Sequence, residues 1–103
     1  MDNRASVRVS VELDAELRVG QKAFSGTVLN CSLSGIFLRT HEKLEAGDVL
    51  EVRIILPEIL DPIQTNSRVI WTDWSERYPP GFGIHFLSLT DEQVKVLRDF
   101  LYE

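Results

Sequence analysis

Val7-Arg8-Val9-Ser10-Val11-Glu12-Leu13-Asp14-Ala15-Glu16-Leu17-Arg18-Val19 alternates apolar and polar residues without a break. A period of two sends one set of side chains into a core and the other into water. A helix would scatter the same apolar residues around its whole circumference. The run is longer than an ordinary strand, which predicts a bend or bulge within it.

Punctuation on the C-terminal side of this run divides the rest of the chain. Gly20-Gln21-Lys22 reads as a hairpin turn, followed by a strand over 23–29. Asn30-Cys31-Ser32-Leu33-Ser34-Gly35 is rich in turn formers and predicts a break in pairing. A short strand over 36–40 and a turn over 45–48 follow. Leu50, Val52, Ile54 and Leu56 then alternate again. Pro57 and Pro62 mark 57–64 as a loop, 67–73 as the next strand, 75–80 as another loop and 81–86 as the last strand.

The end changes period. Thr90-Asp91-Glu92-Gln93 is a capping box, and Val94, Leu97 and Leu101, joined by Phe100, follow at helical spacing. This predicts a C-terminal helix over 90–102. About six short strands with regular turns favour a barrel or sandwich. A six-stranded sheet of this size would leave exposed edges unless it closed, so the expected fold is an all-β, six-stranded antiparallel barrel with one C-terminal α-helix.

At 103 residues, 44% hydrophobic and 26% charged, the chain reads as one globular domain spanning 1–103. No apolar run approaches the length of a membrane helix, and Met1-Asp2-Asn3-Arg4 does not open an apolar leader. With one cysteine, Cys31, the sequence rules out an internal disulfide and a cysteine-based zinc cage, and it fits a cytoplasmic protein. The net charge of -5 argues against a surface that tracks DNA or RNA phosphates. No membrane partner is expected either.

The sequence offers no active-site constellation. His41 and His85 lack metal-ligand spacing, and there is neither a nucleophile elbow nor a phosphate loop. The expected role is therefore non-catalytic, with no cofactor. Two other features carry chemistry. Arg4-x-x-x-Arg8 places two guanidinium forks in phase on one extended face, where they can grip phosphate or a guanine edge. Asn30-x-Ser32-x-x-Gly35 reads either as an ordinary turn closed by a positive-φ glycine or as a rigid turn presenting an amide and a hydroxyl to a ligand.

In this order the two motifs resemble those of the PilZ family, R-x-x-x-R followed by [D/N]-x-S-x-x-G. Val69-Ile70-Trp71 and Gly81-Phe82-Gly83-Ile84-His85-Phe86 are similar to the family's closing strands. The resemblance implies a six-stranded barrel that binds cyclic di-GMP on its outer surface. It implies that Arg4 and Arg8 hold guanine O6 and N7 and the adjoining phosphates. Asn30 would meet the guanine's other edge, Ser32 would hydrogen-bond the base or a phosphate, and Gly35 would let the backbone approach the ligand. Trp71 is either a stacking surface beside a base or core packing.

Asn3 stands where many members carry a further arginine, which implies one ligand per chain. Asn30 replaces the frequent aspartate, so one amide oxygen accepts where a carboxylate would accept twice. Residues 1–8 would form a mobile ligand-binding arm that orders on binding and signals to a downstream protein. The alternative is a PilZ-like protein-interaction module without nucleotide.

Overall fold

The computed structural model describes residues 7–58, 61–73 and 79–102. Six strands and a helix follow in order: β1 (Val9–Val19), β2 (Lys22–Cys31), β3 (Gly35–Arg39), β4 (Val49–Ile54), β5 (Ile63–Asp73), β6 (Gly81–Phe86) and α1 (Asp91–Tyr102). Every ladder is antiparallel, and the order β1-β2-β3-β6-β5-β4 closes on itself through β1 and β4. Closure removes the free edges that an open sheet would expose.

β1 follows its sequence alternation. Leu13, Ala15 and Leu17 are buried, while Asp14, Glu16 and Arg18 face water. Gly20 and Gln21 close the β1–β2 hairpin. Gly20 takes a φ of 59° and Gln21 does not take a positive φ, the sign pattern of a type II′ turn, which matches the strand twist. The core inside the barrel includes Val28, Ile36, Leu38, Ile54, Phe82 and Ile84, all fully buried. Each such side chain contributes about 1.5–3 kcal/mol when removed from water.

The helix begins as the capping box predicts. Thr90 Oγ1 accepts from the Gln93 amide at 3.1 Å, and Gln93 Oε1 accepts from the Thr90 amide at 3.0 Å. Gln93 Nε2 also donates to the Gln64 carbonyl at 2.8 Å, tying the helix start to β5. Leu97 and Leu101 are buried against the barrel core. At the helix end, the Tyr102 hydroxyl donates to the Val7 carbonyl at 2.7 Å.

Two expectations need correction. β5 begins at Ile63, inside the stretch read as a loop over 57–64. Ile63, Thr65, Ser67 and Val69 form its inward row, and Ile63 and Thr65 pair with Ile54 and Val52 of β4. Two of the four inward residues are polar, which hid the alternation. Thr65 donates to the Asn66 carbonyl at 3.0 Å, whereas Ser67 Oγ finds no partner among the described residues. Likewise, β2 continues through Asn30 and Cys31, which pair with both neighbouring strands, so the chain turns only over 32–34.

Candidate functional site

Two β-bulges decide which side chains reach the outer surface. On β2, Val28 points into the core. Strict alternation would then send Asn30 inward and Cys31 outward. Instead Leu29 is an extra residue against β3, because Val28 pairs with Leu38 and Asn30 with Phe37. Against β1, the same Leu29 lies opposite two residues, Val11 and Glu12. The shift flips the facing of everything beyond it. Cys31 goes into the core and Asn30 comes to the outside.

The same device operates on β5. Val69 pairs with Ile84 and Trp71 with Gly83, which leaves Ile70 bulged between them. Val69 is buried, while Ile70 and Trp71 are exposed. Without the bulge, Trp71 would continue the inward row of Ser67 and Val69. Trp71 is 45% exposed, so the choice between core and surface falls to the surface.

The flipped residues line up. Ser10, Asn30, Phe37, Gly83 and Trp71 are successive register partners on β1, β2, β3, β6 and β5. Strands lie about 4.8 Å apart, so Asn30 and Gly83 are separated by about 10 Å. Arg8, the next outward residue along from Ser10, donates from Nη1 to Asn30 Oδ1 at 2.9 Å. The first arginine of the motif, Arg4, and the rest of the expected arm over 1–6 lie outside the described residues.

At the other end of the row lies an aromatic pair. Phe37 and Trp71 stack with centroids 5.4 Å apart and planes 22° from parallel. Glycines floor the pair: a Cβ at Gly81 would strike the Phe37 ring, and one at Gly83 would strike the Trp71 indole. The Arg39 guanidinium covers Phe37 at 5.3 Å from its centroid. Arg39 also donates to the Pro79 carbonyl at 2.8 Å and approaches Asp73 at 3.8 Å, so it holds both ends of the β5–β6 connection.

Ser32 and Gly35 shape the turn between the two halves. Ser32 is fully buried, and its Oγ accepts from the amides of Ser34 at 3.1 Å and Gly35 at 3.3 Å. It also shares a hydrogen bond with Ser34 Oγ at 2.9 Å. The structure therefore seats this hydroxyl inside the turn rather than on the outer face expected of a ligand contact. Gly35 does not take a positive φ. Glycine is required there because a Cβ would run into the Ile84 carbonyl of β6. Cys31 is buried beside them. Burial pushes its thiol up to about 12, opposed by the positive charge of Arg8, which leaves it protonated and unsuited to nucleophilic work.

Sequence reasoning missed Phe37, Arg39 and the two bulges. The signal that could have found the aromatic pair is Gly81-x-Gly83, two glycines on one face of a strand, where flat side chains can lie against the backbone. Among the described residues no group of histidine, cysteine, aspartate and glutamate side chains is placed to hold a metal ion. No described helix is long and apolar enough to cross a membrane.

Known structures share this architecture. The inhibitor of motility MotI/DgrA of Bacillus subtilis superposes with a TM-score of 0.81 at 19% identity, over 98% of this chain and 50% of that one. The chain thus spans half the length of the Bacillus protein. The PilZ domain of YcgR from Escherichia coli, solved with c-di-GMP, gives a TM-score of 0.78 at 14% identity, covering 98% of this chain and 90% of that one. The PilZ domain of CeSA from a cellulose-synthesizing bacterium gives 0.66 at 17% identity, covering 92% and 95%. At these identities the likeness is one of fold. No curated protein matches the chain. The PilZ domain model matches residues 2–103, nearly the entire sequence, and the chain belongs to the PilZ domain family.

Proposed function

We propose that this chain is a receptor for cyclic di-GMP and relays the bound state to a partner protein. One observation carries the reading. Arg8 and Asn30, far apart in sequence, meet on the outer barrel face at 2.9 Å, and Asn30 stands in the same row as the exposed Trp71. An arginine fork beside an amide matches the edges of guanine, and the ring offers a stacking surface. The family's E. coli relative solved with c-di-GMP supports the same ligand.

In this reading Arg8, with Arg4, takes guanine O6 and N7 and the adjoining phosphates. Asn30 takes the other edge of the base. Ser32 and Gly35 act by holding the turn that presents Asn30. Trp71 lies beside the ligand. The Arg8–Asn30 hydrogen bond is exchanged for ligand contacts, and the arm over 1–8 closes over the nucleotide, a change that a partner reads. Hydrogen exchange at residues 2–9 checks the switch: protection should rise on binding, and equal protection removes the arm from the mechanism.

Calorimetric titration with cyclic di-GMP, with GTP as control, tests the receptor itself. Selective, saturable binding at micromolar Kd or better, about -8 kcal/mol, is expected. A folded sample that gives no heat at several temperatures would refute it.

A further inference from the structure

A second row of outward positions runs beside the first. The Ser32 amide bonds the Gly35 carbonyl at 2.9 Å, Gly35 pairs with His85, His85 with Arg68, and Arg68 with Val49. Arg8 precedes Val9, the register partner of Cys31, and so stands at the Ser32 end of this row. Arg68 and His85 are both exposed, and each sits between buried neighbours in its strand, which fixes their outward facing. Neither makes a hydrogen bond or ion pair with a described residue. The residues around them on the same face are uncharged: Val49, Asn66, Gly35, Gly83 and Leu87, with the bulged Ile70. Glu51 lies diagonally, opposite Asn66, and makes no ion pair with Arg68.

The outer face therefore has two poles. At one, Asn30 is paired with the cationic Arg8. At the other, Trp71 stands next to Arg68 and His85, separated from Arg68 along β5 by Val69 and the bulged Ile70. Between the poles Gly35 carries no side chain, and the Trp71 indole lies over Gly83. A cyclic dinucleotide has the same plan: two bases at opposite ends of a ring that carries two phosphodiesters.

Resting on the receptor reading above, the geometry points to Arg68 and His85 as a phosphate subsite, which takes the phosphodiester remote from Arg8. Arg68 supplies a fixed positive fork and His85 an imidazole N–H donor. The subsite makes recognition of the ligand two-ended and excludes mononucleotides, which cannot reach both poles at once.

The test is calorimetry with cyclic di-GMP at low and high salt on the wild type, Arg68→Ala, Arg68→Lys, His85→Ala and, as a control on the helix, Arg98→Ala. Arg68→Ala should weaken binding about tenfold and flatten its salt dependence, because an ion contact is lost. His85→Ala should weaken it less, Arg68→Lys should recover most of the affinity, and Arg98→Ala should match the wild type. Wild-type binding with an unaltered Arg68→Ala variant would overturn the subsite and leave the receptor standing. A wild type that does not bind would overturn both. An Arg68→Lys variant as weak as Arg68→Ala, with a lowered melting temperature, would make Arg68 a packing residue and also overturn the subsite.

Discussion

Arg8 Nη1 donates to Asn30 Oδ1 across 2.9 Å, from the residue just before β1 to the end of β2. The contact is exposed and neutral on one side, so it contributes little to stability. It holds the guanidinium on the barrel face and leaves it easy to release. Arg8→Ala should therefore leave the melting temperature within about 2 °C, as expected for a surface change of a few tenths of a kcal/mol. It should weaken cyclic di-GMP binding by about ten- to hundredfold, because a charge-assisted contact is lost. Thermal unfolding and titration of the same variant separate the two effects.

Asn30→Asp alters the same contact in the opposite sense. A carboxylate would pair with Arg8 as a surface ion pair worth up to about 1 kcal/mol and would accept twice from a guanine edge. The expected result is a melting temperature that rises more at low salt than at high salt, which reads the ion pair, and tighter binding, which reads the second acceptor. A variant with unchanged salt dependence would show that Asn30 and Arg8 do not act together.

The bulge at Leu29 can be removed by deleting that residue. Asn30 would then follow Val28 directly, still outward in register with Phe37 and with Cys31 still inward, while Val11 and Glu12 of β1 would lose the residue opposite them. Losing the half-buried Leu29 side chain and its place against β1 should lower stability by about 1–3 kcal/mol, measured by urea unfolding, while cyclic di-GMP binding persists. A folded variant that no longer binds would show that Leu29 itself positions Asn30, beyond setting which way it faces.

Gly83→Ala places a methyl group where the Trp71 indole lies. The ring must lift away from Phe37, and the stacked pair is lost. The expected signature is a reduced near-ultraviolet circular dichroism band, a destabilisation of about 1 kcal/mol, and weaker ligand binding. Trp71→Phe should reproduce the loss of binding with less loss of stability.

Cys31 gives a pH dependence with a definite sign. Its thiol rises from 9.0 to about 12 in the folded protein through burial. Above pH 9 the unfolded chain loses this proton first, so the unfolded state binds fewer protons and stability falls as pH rises through that window. The stability advantage of the wild type over Cys31→Ala should be constant below pH 9 and shrink between pH 9 and 12. Urea unfolding of both proteins across that range measures it.

The barrel was legible because most of its strands obey a simple alternation, β1 above all, and because Thr90 and Gln93 announce the helix in a local, pairwise way. β5 was half hidden because Thr65 and Ser67 occupy inward positions that apolar counting rejects. Arg8 and Asn30 could be named from short motifs, but their meeting could not. It depends on the pairing of β1 with β2 and on the extra residue at Leu29. Phe37 carried no signal of its own, since an aromatic residue in a strand reads as core. Only the registers of β3, β5 and β6 together reveal that it lies over Gly81 beside Trp71.

The Tyr102–Val7 hydrogen bond brings the first described residue and the end of α1 within touching distance. The barrel is therefore nearly a loop, and its covalent starting point is almost arbitrary. A short flexible linker joining residue 102 to residue 7, with a new opening cut between Gly20 and Gln21, should give a circular permutant with the same barrel. The same closeness lets such a module be spliced into a surface loop of another protein, with entry and exit side by side and little disturbance to the host.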